Sequence, residues 1–337
     1  MKARPTLQDV SRLARVSTAT VSRVLNEPDR VRSDTRAQVE AAIAELGYAP
    51  HFGARALASN RTSTIGAIIP TMENAIFARG IQALQEELAG AAYTLLVATS
   101  SYDADREFQQ IQSLIGRGVD GLVLIGEDRD ASVYQMLQER AVPFVLVWAW
   151  RADAAYPSIG FDNRASAVEI ADHVLDLGHR RVGMIAGLTD GNDRARLRVA
   201  GVRDAMAARG MLLRDDQLIE APYTMADGAV AAHQLLAMRD RPTALICGND
   251  VLAVGALAAA RDLGLSVPDQ VSVTGFDNIE LSGAVTPALT TVHVPHRRMG
   301  QTAGARLLAH CRAGEALTGA AFKTHIVERE SVGPPPR

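Results

Sequence analysis

The residues that could do chemistry fall into two sets. Near the N-terminus, Thr18, Ala19, Ser22 and Arg23 recur on one face of a helical stretch, opposite Val21, Val24 and Leu25. An outward set of short hydroxyl and methyl groups beside a guanidinium is chemistry that suits contact with DNA. The second set is scattered and speaks against catalysis. Gly116-Arg117-Gly118-Val119-Asp120-Gly121 has the glycine spacing of a dinucleotide fingerprint, but a helical stretch precedes it and an apolar run follows. A phosphate site needs the reverse order, so that the anion meets amides at a helix N-terminus. No P-loop, nucleophile elbow or zinc-protease helix occurs, and the eight histidines show no metal spacing. His179, after Gly178, reads as helix-to-strand punctuation; His293 and His296, flanking a strand end, read as crossover residues that pack lobes rather than as catalysts. No enzyme activity, metal or cofactor is expected.

The elements that must position the first set are three short helices. Thr6 caps the first, with Asp9 at its third position and Leu7, Val10, Leu13 and Ala14 on one face. After a break at Arg15-Val16, Ser17 caps a second helix running to about Leu25. A third starts near Ser33, buries Val39, Ala42, Ile43 and Leu46, and stops at Gly47. Two short helices joined by a tight turn make a helix-turn-helix. Residues 50–64 form a polar connector around the helix-prone run Gly53-Ala54-Arg55-Ala56-Leu57-Ala58, too short to hold a helix alone.

From Ile65 onward, apolar runs alternate with amphipathic helical stretches. The strand candidates are Ile65–Pro70, Thr94–Ala98, Gly121–Gly126, Phe144–Trp148, Val182–Ala186, Ala244–Gly248, Val271–Phe276 and Thr291–Val294. This pattern predicts an α/β body of doubly wound parallel sheets, with ligands beyond the carboxyl ends of the strands. About 270 residues exceed one comfortable sheet, so two lobes with a cleft between them are expected.

Composition agrees and sharpens the division. The 337 residues are 47% apolar, an ordinary globular balance with no membrane-spanning run. Cys247 and Cys311 are too few and too far apart for a disulfide framework or zinc cluster. With no apolar signal core at the start, a cytoplasmic protein is expected, and the glycosylation spelling Asn60-Arg61-Thr62 carries no meaning there. The net charge of −3 looks unfavourable for nucleic acid. It is an average, however: residues 1–62 hold ten basic against six acidic side chains, +4, leaving 25 against 32, −7, in the remainder. Such a split fits a small module for a polyanion on an acidic body with another task.

At Leu7-Gln8-Asp9-Val10-Ser11-Arg12-Leu13-Ala14-Arg15-Val16-Ser17-Thr18-Ala19-Thr20-Val21-Ser22-Arg23-Val24-Leu25-Asn26 the chain closely resembles the DNA-binding segment of the lactose-repressor (LacI/GalR) family. The resemblance continues through Val31–Arg36, Glu45–Pro50, the hinge Ala54–Ala58, Leu177-Gly178-His179-Arg180, Arg196–Gly201, Gly248-Asn249-Asp250, Gly275-Phe276-Asp277 and Pro287–Val292, covering essentially the whole chain. It implies a helix-turn-helix domain at 1–50, a hinge helix at 51–62, and a periplasmic-binding-protein-like effector domain at 63–337. One lobe is expected at about 63–162 and 293–322, the other at about 163–292 and 323–337.

On that resemblance Thr18 and Ala19 are the operator-discriminating pair, with Ser22 and Arg23 one turn on. Thr6, Ser17, Thr20 and Asn26 have the chemistry to position phosphates, and equally that of plain caps or turns. Arg55 and Leu57 belong to the hinge, where the family resemblance implies that paired leucines wedge into the minor groove and kink the DNA. The family's sugar-contacting positions align with Asp162, Arg198, Asn249 and Asp277, and Tyr223 with an aromatic that stacks on the ligand. Asn74 and Phe77 follow the first strand on the near lobe. Trp148 either joins them or serves core or edge packing; Asp250 is read as an N-cap.

The implied protein is a sequence-specific regulator, normally a repressor, whose affinity for double-stranded operator DNA is set by a sugar or sugar derivative. The chain ends at Gly333-Pro334-Pro335-Pro336-Arg337 without a leucine-heptad tail, so a homodimer is expected. The rival classes are a sugar-binding protein without a regulatory role, which leaves the N-terminal module unexplained, and an enzyme, which lacks a catalytic constellation.

Overall fold

The computed structural model describes residues 5–26, 28–48, 61–73 and 75–336. It divides into two units between Thr62 and Ser63.

In the first unit, α1 spans Leu7–Leu13, α2 Thr18–Asn26 and α3 Ser33–Leu46, with a 3-10 turn at Pro28–Arg30. Thr6 and Asp9 form the expected capping box: the Asp9 amide donates to Thr6 Oγ1, and the Thr6 amide donates to the Asp9 carboxylate at 2.9 Å. Arg15 takes a left-handed φ of 51° to reverse the chain. Ser17 Oγ then accepts the Thr20 amide at 3.1 Å and starts α2. Gly47, at φ 60°, closes α3. Val10, Ala14, Val21, Val24, Val39, Ala42 and Tyr48 pack together. Leu13 does not join them; it is 41% exposed. Val10 and Ala14, four apart, take the inward line, and Leu13 lies about 60° to one side of Val10.

The second unit contains two six-stranded sheets. The first collects β1 (Thr64–Ile69), β2 (Thr94–Thr99), β3 (Gly121–Ile125), β4 (Phe144–Val147), β5 (Ser158–Gly160) and β11 (Ala320–Ala321), in the order β11-β5-β4-β3-β1-β2, all parallel. The second collects β6 (Val182–Gly187), β7 (Leu218–Ala221), β8 (Ala244–Cys247), β9 (Ser272–Asp277), β10 (Thr290–His293) and β12 (His325–Val327), in the order β12-β10-β9-β8-β6-β7, with only β12 antiparallel. The helices that matter below are α4 (Ala75–Gly90), α5 (Ala104–Gly116), α6 (Ala131–Glu139), α7 (Asn163–Asp176), α8 (Asp193–Ala207), α9 (Met225–Leu236), α10 (Asp250–Asp262), α11 (Leu281–Ala284) and α12 (His296–Ala313).

Every residue of β1, β3, β4, β6, β8 and β9 is buried, as expected of parallel strands covered by helices on both faces. Strand order reverses between β1 and β3 and again between β6 and β8. Each reversal opens a crevice beyond the carboxyl ends of the strands. The glycine triplet at 116–121 closes α5 and enters β3, helix before strand, so it frames no phosphate loop. No helix among the described residues is long and apolar enough to cross a membrane.

Candidate functional site

In the N-terminal unit Thr18, Ala19 and Arg23 are exposed on α2, with Thr20 and Ser22 half-buried. The Thr6 and Ser17 hydroxyls serve as caps, and Ser17 Oγ also lies 2.9 Å from Thr20 Oγ1. Asn26 is the last residue of α2. Arg55 and Leu57 lie outside the described residues. The arrangement presents a small, mixed polar and apolar face at the start of a helix, flanked by a guanidinium.

In the second unit a narrow chamber, with only about 20 Å³ of open space, forms where strand ends from both sheets converge. It is lined by Ile76 and Phe77 after β1, Tyr102 after β2, Trp148 after β4, Arg194 and Arg198 on α8, Tyr223 after β7, and Asp277 at the end of β9. Tyr102 and Tyr223, with ring centroids 5.8 Å apart, separate it from an outer cavity of about 310 Å³ that includes Glu73, Ser101, Asn192 and Thr224. Tyr223 lies against the β6 terminus at Gly187, where any side chain would collide with its ring.

A chain of hydrogen bonds, completed by one longer charge contact, ties the chamber together across the sheets. The Trp148 indole donates to His296 Nδ1 at 3.1 Å. Because His296 Nδ1 accepts, its Nε2 carries the proton and donates to the Asp277 carbonyl at 3.2 Å. Asn163 Nδ2 donates to the Trp148 carbonyl at 3.0 Å, and Asn163 Oδ1 accepts Arg198 Nε at 2.9 Å. Arg198 also donates to the Gly248 carbonyl at 2.6 Å and lies over the Phe276 ring at 3.8 Å. The circuit closes at Asp277, whose Oδ1 is 3.8 Å from Arg198 Nη2.

The electrostatics follow from burial. Desolvation raises the Asp277 carboxyl to about 7 despite the opposing pull of Arg198 and Arg194. Asp250 behind it is raised to about 8, first by burial and then by the Asp277 charge, against hydrogen bonds from Thr291 and the Ile279 amide. Burial lowers His296 to about 3, so it is neutral and its contact with the Asp277 carboxylate is not an ion pair. Both Asp277 carboxylate oxygens and Asn249 Nδ2 are buried without a hydrogen-bond partner among the described residues. Of these two residues Asp277 lines the chamber, so its unbonded oxygens are open to donors from a bound molecule.

Phe77, Trp148, Arg198, Tyr223 and Asp277 are thus brought together. Asn249 caps α10, accepting the Leu252 amide at 2.8 Å, directly after the carbonyl that Arg198 binds. The cap there is therefore Asn249 and not Asp250, whose carboxylate instead accepts the Ile279 amide at 2.7 Å and the Thr291 hydroxyl. Asp162 stands apart: it is exposed, and its carboxylate caps α7 by accepting the Ala165 amide at 2.9 Å. Its neighbour Asn163 makes the inward contacts. Asn74 lies outside the described residues. Sequence reasoning missed Ile76, Tyr102, Asn163 and Arg194 and gave His296 only a packing role; for Arg194 the available signal was its place one helical turn before Arg198.

Comparison with known proteins fits both halves. Residues 6–51 match the model of bacterial regulatory proteins of the lacI family, and residues 171–332 that of the periplasmic binding protein-like domain. The HTH-type transcriptional repressor PurR of Pectobacterium carotovorum subsp. carotovorum (strain PC1) is 34% identical over 96% of this chain and 93% of its own length.

The chain belongs to the lacI family of bacterial regulatory proteins. Catabolite control protein A of Priestia megaterium, 33% identical over 88% of this chain and 90% of its own, is another relative. Among solved structures, the lac repressor dimer bound to operator and the anti-inducer ONPF aligns with a TM-score of 0.86 and 27% identity, covering 98% of this chain and 100% of that one. The complex of the transcriptional regulator CelR with cellobiose aligns at 0.72 and 28%, covering 97% and 100%. This lacI-family protein is accordingly a DNA-binding transcriptional regulator, with a helical reading unit followed by a two-lobed, parallel-sheet effector domain, and it is not an enzyme.

Proposed function

We propose that this regulator works in the cytoplasm as a homodimeric repressor that reads its operator through α2 and senses a sugar-like effector in the chamber between its two sheets. Thr18 and Ala19 meet base edges first, and Arg23 reads guanine one turn on. Arg55 and Leu57 act at the hinge. Asn74, Phe77, Trp148, Arg198, Tyr223, Asn249 and Asp277 meet the effector, Arg198 largely by holding its neighbours in place. Asp162 supports the site through the cap that begins the helix carrying Asn163. The observation that carries the effector reading is the pairing of the buried, unbonded carboxylate oxygens of Asp277 with the aromatic walls of Phe77, Trp148 and Tyr223. Hydroxyls supply the missing donors, and a sugar ring's C–H face suits the aromatics.

Effector binding bridges elements of both sheets, and it changes DNA affinity only to the extent that it binds one arrangement of the lobes better than the other. The test has two arms. Selection from random duplexes should return a pseudo-palindrome, with Arg23→Ala relaxing the preference at one position per half-site and weakening binding about tenfold or more. Arg198→Ala should abolish the response to any sugar that raises the wild-type melting temperature, with operator binding by the effector-free variant as the folding control. A normal induction curve for Arg198→Ala would remove the chamber from the switch.

A further inference from the structure

Among the chamber's charged residues, Arg194 is the one that the circuit around Asp277 does not use. It is 7% exposed, lies in the first turn of α8 one turn before Arg198, and lines the same chamber. Its surroundings are built to hold it. Nη1 donates to Asp193 Oδ1 at 2.7 Å, and Asp193 Oδ2 in turn accepts the Glu127 amide at 2.9 Å, from the loop after β3 of the other sheet. Gly126, in the left-handed region at φ 69°, lies directly against this pair; a methyl group there would collide with Arg194 Nη1 and the Asp193 carboxylate. A guanidinium is therefore locked at the junction of the two sheets, with a glycine making room for it.

The two arginines of the chamber are used differently. Arg198 directs Nε and Nη1 to Asn163 and the Gly248 carbonyl. Arg194 makes its single hydrogen bond among the described residues through Nη1, leaving the Nε–Nη2 edge, the one that pairs side-on with a carboxylate, for another acceptor. Two cations, Arg194 and Arg198, face two carboxylates, Asp193 and Asp277, and burial works against ionising the second of these. Of the two guanidinium groups, Arg194 is the one with a second edge to offer an anionic group of a ligand.

We propose that the effector is a polyhydroxylated monocarboxylic acid, a sugar acid, whose carboxylate is held by the Nε–Nη2 edge of Arg194 while its hydroxyls donate to Asp277. This rests on the chamber being the site of a sugar-like effector. Glucose, galactose and mannose supply the hydroxyls without the acid; the aldonic and uronic acids derived from them supply both.

The test is titration calorimetry and thermal shift on the full chain with gluconate, galactonate, mannonate, glucuronate and galacturonate, each against its parent sugar, and with glucose 6-phosphate, at matched ionic strength. At least one acid should bind about tenfold or more tighter than its parent sugar, the scale of a charge-assisted pair. Arg194→Gln should cut that acid-to-sugar ratio about tenfold, and Arg194→Lys, which keeps the charge but not the fork, should restore part of it. Parent sugars binding as tightly as their acids would overturn the proposal while leaving the sugar site standing; so would an unchanged ratio in Arg194→Gln. Glucose 6-phosphate binding more tightly than every carboxylate would also overturn it. If no sugar or sugar acid binds, whether or not nucleosides or purine bases do, the sugar reading of the chamber fails and this proposal with it. The wild-type comparison of acid against sugar decides the matter even if both Arg194 variants misfold.

Discussion

Asp277 holds the sharpest conflict between folding and ligand recognition. Its carboxylate is buried without hydrogen bonds, and its backbone sits at φ 104°. Two other chamber residues, Trp148 at φ 66° and Tyr102 at φ 60°, share that left-handed region, so backbone strain of about 1–3 kcal/mol each gathers around the chamber. The carboxyl's rise from 3.8 to about 7 sets the pH dependence. Between those values the folded state keeps the proton that the unfolded state releases, so this residue's contribution to stability falls as pH rises from about 4 to about 7 and then levels off. Asp277→Asn escapes that penalty. Its melting temperature should equal the wild type's near pH 4 and exceed it above pH 7, by an amount on the order of 2–4 kcal/mol in stability, while effector binding is lost. A variant less stable than wild type at pH 8 would show that Arg198 needs the carboxylate as its counter-ion.

At the scale of elements, small residues decide how the site is assembled. α4 and α12 approach so closely that a methyl on Gly300 would strike the Gly80 carbonyl, and one on Gly80 would strike the Trp148 indole. Gly300→Ala should therefore force the helices apart, lower stability by about 1–3 kcal/mol in denaturant melts, and weaken effector binding by loosening His296 and Trp148 together. Stability loss without a change in affinity would separate the helix contact from the chamber. In the N-terminal unit, Thr6→Ala removes the cap of α1 and should cost about 1 kcal/mol in that unit's own melting. Much of this level was legible beforehand. The capping box, the reversal near Arg15, the stop at Gly47 and the eight principal strands all follow from local residue chemistry. β5, β7, β11 and β12 escaped because they lack the unbroken apolar run that marks the similarly short β4 and β8; their strand character comes from neighbours such as Ile159 and Thr291 supplying the ladder.

For the whole molecule, the charge division at residue 62 bears on how the protein meets DNA. A +4 reading unit joined to a −7 body attracts phosphate at one end and discourages the effector domain from lying along the duplex. Operator affinity should fall linearly on a log–log plot against salt, measured by fluorescence anisotropy, with a slope set by the phosphates the small unit neutralises. A slope near zero would contradict that. The chamber's hydrogen bonds join both sheets through Trp148, His296, Asp277, Arg198 and Asn163, so a ligand seated there would touch elements of both lobes and would shift their arrangement only by its difference in affinity for the alternatives.

The sequence by itself determined the three N-terminal helices and the alternation of strand and helix, because each rests on spacing within a single element, and the family through resemblance along the chain. Phe77, Arg198, Tyr223 and Asp277 were also reachable, through resemblance. The tertiary structure alone decided who faces whom. Asp162 and Asn163 differ by one position on a helix start, and only the packing of α7 against Trp148 and Arg198 turns the asparagine inward and leaves the aspartate as a cap. Arg194 had no signature beyond its place one turn before Arg198; its significance comes from Gly126 and Glu127, more than sixty residues away and beyond the end of a strand in the other sheet. Burial, which sets the charge state of Asp277 and His296, is likewise a property of the assembled sheets and of no local stretch of chain.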